Sequence, residues 1–183
     1  MASTTQQEPA SPLLHLPDEI WLEILGHLDY LTLWQTRAIS TKLRTESERL
    51  AVATLLPNIS MALTYTLSSG TRHRWYDVRA TITFAFSSVN KHNLDFALFG
   101  IARIHPTNFH DRALKKWLPM CSRGLSPALE WQVSDSATTY GMRLSKVVGA
   151  QDGALWCDWR ELITAWCRMQ AATEAKLALG SVV

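Results

Sequence analysis

The spacing of apolar side chains changes once along this chain, at Pro57, and that single change decides its fold class. Before Pro57 the period is helical. Ile20, Ile24, Leu25 and Leu28 recur at i, i+4, i+5 and i+8, which is one helix face. Pro17 suits the first helical position, and Asp18 and Glu19 complement the dipole of the first turn. Thr32 and Gln35 have capping-box spacing ahead of a second helix carrying Leu33, Trp34, Arg37 and Ala38. Ser40 or Thr41 can cap a third, bearing Leu43, Leu50 and an apolar run that Pro57 stops. The pattern predicts three short helices within residues 13–56.

After Pro57 the period is two. Ile59, Met61, Leu63, Tyr65 and Leu67 alternate with small or hydroxylated residues, and Tyr76, Val78, Ala80, Ile82, Phe84 and Phe86 alternate with Asp77, Arg79, Thr81, Thr83, Ala85 and Ser87. The link 68–74 suits a hairpin loop, and a third strand over 94–104 slips its alternation near Gly100, where a bulge is expected. Asn108 is placed to cap a helix with Leu114, Trp117, Leu118 and Cys121 on one face, ended by Gly124. Leu129, Trp131 and Val133 suggest a fourth strand, and Tyr140, Met142 and Leu144 a fifth. A last helix over 158–180 presents Trp159, Leu162, Ile163, Trp166 and Met169. One-sided strands need a cover, and two amphipathic helices supply it. The expected fold class is α+β: an N-terminal three-helix segment, then a mostly antiparallel sheet of about five strands packed by two helices. No fixed-period repeat is present, which disfavours propellers and solenoids.

The division expected is a disordered arm over 1–12, a helical module over 13–56 and an α+β domain over 57–183. The arm has neither the basic start nor the apolar stretch of a secretory signal. The longest nearly uninterrupted apolar run, 50–56, is far below the ~18 residues of a membrane span. With 47% hydrophobic and 19% charged residues and a formal charge of +2, no global field recruits nucleic acid or an anionic membrane. Cys121, Cys157 and Cys167 are too few for a disulfide framework, so a reducing cytoplasmic or nuclear setting is expected, with no cofactor.

The N-terminal residues also carry a motif. Leu16-Pro-Asp-Glu-Ile-Trp-Leu-Glu-Ile-Leu-Gly-His-Leu28, five steps to Leu33, then Arg37-Ala-Ile-Ser-Thr-Lys-Leu-Arg44, resembles an F-box. Ile39 stands where that family usually has valine, and Leu43 where it usually has tryptophan. The whole chain is also similar to small fungal F-box proteins. The resemblance implies a non-enzymatic substrate adaptor of an SCF-type cullin–RING ubiquitin ligase. Its F-box would dock on a Skp-family adaptor and the remainder would hold an unknown protein substrate. Carried over by position, the implied docking set is Leu16, Pro17, Ile20, Ile24, Leu25, Leu28, Leu33, Ile39 and Leu43.

Elementary energetics agree with docking. A segment of some 43 residues buries too little surface to close a core of its own. Apolar side chains on several sides of three short helices need a partner, at roughly 1.5–3 kcal/mol for each one fully buried. The competing explanation packs these leucines on the chain's own sheet. It leaves a single-domain binding protein for a small apolar ligand, and the exposure of Leu16, Ile24 and Leu28 separates the two.

Other constellations are weaker. His105, His110 and Asp111 lie near Cys121 in sequence and could form a nucleophilic pair, but Cys121 falls on an apolar stripe. Cys157 and Cys167, read as ten apart on one helix, face different ways and share no metal. Arg72-His-Arg-Trp75 and Lys115-Lys-Trp117 mix basic and aromatic groups as nucleic-acid surfaces do, yet a loop and a solvated helix face explain them. Arg72, Arg74 and Trp75 are candidates for touching an acidic or phosphorylated substrate. Gly149 to Gly153 reads as a turn, without the Gly-Lys end of a phosphate loop. Of Trp156, Trp159 and Trp166, read on the last helix, at least two are expected in the core.

Overall fold

The computed structural model describes residues 17–68, 77–150 and 152–180. Three α-helices come first: α1 (Asp18–Gly26), α2 (Tyr30–Thr36) and α3 (Thr41–Leu50). Pro17 sits one place earlier than its usual helical slot, as the N-cap of α1. The cap of α2 is Asp29 rather than Thr32: its carboxylate accepts from the Leu31 and Thr32 N–H groups at 3.0 Å each. A carboxylate at the N-cap satisfies two free donors and answers the helix dipole, so it displaces the hydroxyl three residues on. Ser40 caps α3, accepting from the Leu43 N–H. A π-helical turn (Ala51–Leu55) and a 3-10 turn (Leu56–Asn58) carry the chain past Pro57 into strand.

Among the described residues seven strands follow rather than five: β1 (Ser60–Leu67), β2 (Val78–Val89), β3 (Phe96–His105), β4 (Glu130–Ser134), β5 (Thr139–Arg143), β6 (Val147–Gly149) and β7 (Leu155–Asp158). The two additional strands, β6 and β7, have three and four residues, too short for alternation to register as a pattern. They form a hairpin whose turn is held by Ala150 N–H to Ala154 O and Gly153 N–H to Ala150 O. This corrects two placements: Trp156 and Cys157 belong to β7, not to the last helix. In the antiparallel register of β2 and β3, Ala102 and Ser87 are each left unpaired, so bulges flank Gly100.

Helix α4 (His110–Arg123) follows β3, and α5 (Trp159–Gly180) follows β7. A 3-10 turn (Thr107–Phe109) takes the place of the expected Asn108 cap, and Phe109 precedes α4 without a capping side chain. Asp158 does cap α5, accepting from the Arg160 and Glu161 N–H groups at 3.1 Å each.

The sheet order is β5-β4-β1-β2-β3-β7-β6, which places β5 and β6 on opposite edges although only residues 144–146 separate them. A flat seven-stranded sheet holds its edges about 29 Å apart. Three linking residues reach at most about 15 Å. The sheet is therefore curled, and its inner face wraps the core. Met61, Leu63, Ile82, Phe84, Phe99, Trp131 and Val133 line that face and are fully buried. Trp117 of α4 lies against Phe84 with ring centroids 5.3 Å apart and donates to the Gly153 carbonyl at 2.7 Å. The buried stripe of α4 is Ala113, Trp117 and Cys121, with Leu118 turned outward. On α5 it is Trp159, Leu162, Ile163 and Trp166, with Met169 exposed. Helix α4 approaches so closely that a Cβ on Gly149 would stand 2.7 Å from the Cys121 backbone, which explains glycine there.

The helical segment shares this core. Trp34, Ala51, Leu55 and Leu56 pack with the sheet, while Leu25, Leu33 and Leu43 form a second, smaller cluster with Trp21, Leu28 and Leu50. Helix α2 therefore faces two ways, Leu33 toward its sister helices and Trp34 toward the body.

Candidate docking site

The small cluster makes the floor of a surface groove. Leu25 and Leu43 are buried beneath it, and Leu28 is half-buried. Its rim is apolar and open to solvent. Ile24, at the rear of α1, is 40% exposed, and Ile39, in the turn before α3, is 68% exposed. Trp21, Thr36 and Lys42 complete the walls of a cavity of about 650 Å³. Ile20, one turn before Ile24, is 40% exposed and extends the rim along α1. Pro17 is exposed at the head of the helix. Leu33 lies below, lining a second cleft between the helices and Gln170 of α5. Leu16 lies outside the described residues, as do Arg72, Arg74 and Trp75.

Trp21 was not among the expected residues. The signal was available, since Trp21, Leu25 and Leu28 recur at i, i+4 and i+7.

Besides this packing, a charged bridge ties the groove's helices to α5. Arg37 donates to Glu48 Oε1 from Nε at 3.1 Å and from Nη2 at 2.7 Å. Arg160 of α5 donates to Glu48 Oε2 at 2.7 Å and also pairs with Asp95. Burial of Glu48 would raise its pKa, but the hydrogen bonds from Arg160 and Arg37 outweigh it and hold the carboxyl below its ordinary value. The Arg37 guanidinium covers the Trp34 ring at 3.9 Å, and that of Arg160 covers Trp159 at 4.5 Å. The two rings meet edge-on at 6.1 Å, and Trp34 Nε1 donates to Thr164 at 3.1 Å. No local pattern announces Glu48 as the centre of this bridge, because its partners lie 11 and 112 residues away.

The possible chemical constellations are dispersed. His110 and Asp111 meet at 3.1 Å on the surface, and His105 is exposed. Cys121 is buried, and among the described residues no hydrogen bond joins it to a histidine. Burial, with the nearby Asp152 charge, pushes its thiol up to about 11. Cys157 and Cys167 are buried too, and no group of three or more ligand side chains that could hold a metal occurs among the described residues. Lys115 and Lys116 are exposed while Trp117 is fully buried, and Lys116 Nζ lies instead over the Tyr65 ring, 5.6 Å from its centroid. No helix among the described residues is long and apolar enough to cross a membrane.

Residues 13–50 match the F-box domain family, a span that contains α1, α2 and α3 and both rims of the groove. The chain carries an F-box. No curated protein and no solved structure matches it. The F-box supports a role in SCF-type ubiquitin-ligase substrate adaptation in general, and such proteins bind Skp1-type adaptors.

Proposed function

We propose that this F-box protein docks on a Skp-family adaptor through the groove between α1 and the α2–α3 corner. Residues 57–183 would then hold a protein substrate. The observation that carries the reading is that Ile20, Ile24 and Ile39 stay exposed within the F-box match. Ile24 and Ile39 line an apolar groove floored by Leu25 and Leu43, and Ile20 stands one helical turn from Ile24. Isolated surface isoleucines need no explanation, but two on one apolar groove with a third a turn away mark an interaction site. A helix of the adaptor laid in the groove would cover them. The contribution of the chain to ubiquitylation is then proximity, through the raised effective concentration of substrate lysines. The bridge through Glu48 supports that role, since it ties the docking face to the substrate-holding part.

A groove of about 650 Å³ also lies in the size range of small-molecule sites, the observation that favours an apolar-ligand protein as the second reading. One experiment separates them. The full chain is co-purified with a Skp-family adaptor, wild type against Ile20→Ala/Ile24→Ala/Ile39→Ala, with circular dichroism as the fold check. A stoichiometric complex that is lost in a folded triple variant supports docking. Wild type that fails to bind at micromolar adaptor sinks it and leaves the ligand reading in front.

A further inference from the structure

Another cleft, distinct from the two beside the F-box helices, opens where α5 closes the seam of the curled sheet, and its charges do not balance. The link between β5 and β6 is strapped to α5: Glu161 accepts from the Ser145 N–H at 2.9 Å, its hydroxyl at 2.8 Å and the Lys146 N–H at 3.1 Å. The cleft beside this strap has a volume of about 510 Å³. Every acid lining it is already engaged. Asp158 holds Lys146 Nζ at 2.9 Å and caps α5, Asp95 takes Arg160, and Glu161 is spent on the strap. Arg37, on the same wall, is committed to Glu48.

Arg143, the last residue of edge strand β5, and Arg168, in the third turn of α5, line the same cleft. Among the described residues neither has an acid within ion-pair distance or a hydrogen-bond acceptor. Glu130, the register partner of Arg143, lays its carboxylate over Gly141, with Oε1 2.7 Å from where a Cβ would stand. Two guanidinium forks without an ion-pair partner therefore face one cleft, each with five free donors, while the Glu161 carboxylate, which accepts only from neutral groups, keeps its charge beside them. A carboxylate has two acceptor oxygens, which one bidentate guanidinium occupies. A phosphate monoester carries about −1.5 to −2 charges at neutral pH and three acceptor oxygens, which lets it accept from both forks at once.

We propose that this cleft binds a phosphate monoester dianion through Arg143 and Arg168. A phosphorylated protein side chain and a small phosphorylated molecule share that chemistry. The proposal does not depend on adaptor docking, and its test uses no adaptor.

Isothermal titration of the full chain at constant ionic strength would use four probes: a phosphoserine peptide, the same peptide unphosphorylated, glycerol phosphate and inorganic phosphate. Arg143→Gln/Arg168→Gln, and each single substitution, are compared with Arg79→Gln/Arg103→Gln, which removes equal charge elsewhere. The expected result is binding of phosphorylated probes, weakened at least tenfold in the cleft double variant and unchanged in the control. A phosphopeptide that binds more tightly than glycerol phosphate assigns the site to a phosphorylated protein, and equal affinities assign it to a small phosphate. Equal binding of the two peptides overturns the proposal. So does phosphate affinity that survives loss of both arginines in a chain whose circular dichroism is native.

Discussion

Glu48→Gln tests whether the docking face is held to the sheet by charge or merely rests on it. The substitution keeps the shape of the side chain and removes its charge from between Arg37 and Arg160. Glu48 has only 14% of its side chain exposed, and the two arginines 22% and 30%. Removing one partner of a fully buried pair costs about 3–5 kcal/mol. Partial solvent screening lowers this, and Arg160 keeps Asp95, so the expected loss is about 2 kcal/mol. For a chain of this length that is a fall in melting temperature of roughly 4–8 °C. The pH dependence follows from the depressed pKa of Glu48. A carboxyl with a lower folded than unfolded pKa contributes stability that is fully present above its ordinary value of 4.5 and is lost as pH falls through the folded value. The gap between wild type and E48Q should be full at pH 7 and close on acidification below that value. Thermal melts across that range measure it, with Arg49→Gln as control because its pair with Glu46 is exposed and worth little. Coincident melts at pH 7 would refute the bridge as a structural tie. A gap that persists in acid would refute its electrostatic origin.

Three further outcomes are expected. Gly149→Ala should destabilise by about 1–3 kcal/mol in urea denaturation, because the new methyl meets the Cys121 backbone as well as its sulfur. Cys121→Ala should not restore the loss, and full rescue would show that α4 can move away from β6. Burial pushes the thiol of Cys167 up to about 12 and raises that of Cys157 further, so native protein should resist iodoacetamide at pH 8 while denatured protein reacts at all three cysteines. Rapid native labelling of Cys121 would reopen the nucleophile reading. Trp34→Phe loses the Nε1 hydrogen bond to Thr164 and should cost about 1 kcal/mol, read as a shift in denaturation midpoint. No shift would mean that water replaces the bond without loss.

Much of this protein is written in local patterns. Apolar spacing around Ile20 to Leu28 makes α1 and the small cluster, and strict alternation through Met61, Leu63, Ile82 and Phe84 makes the inner face of the sheet. Ser40 and Asp158 cap their helices because a short polar side chain beside free N–H groups acts within three residues. The F-box motif is legible for the same reason, since its residue types and spacing lie within one segment. Tertiary structure decided the rest. Strands as short as β6 and β7 exist only because β3 and each other satisfy their backbone, so no pattern in 147–158 declares them. The curl follows from strand order, which joins opposite edges through three residues. Only that curl brings Arg143 and Arg168 to one cleft, and only the packing of α2 on α5 brings Arg160 to Glu48. Periodicity reports which face of an element is buried. Which element it meets depends on long-range closure, whose free energy local sequence does not contain.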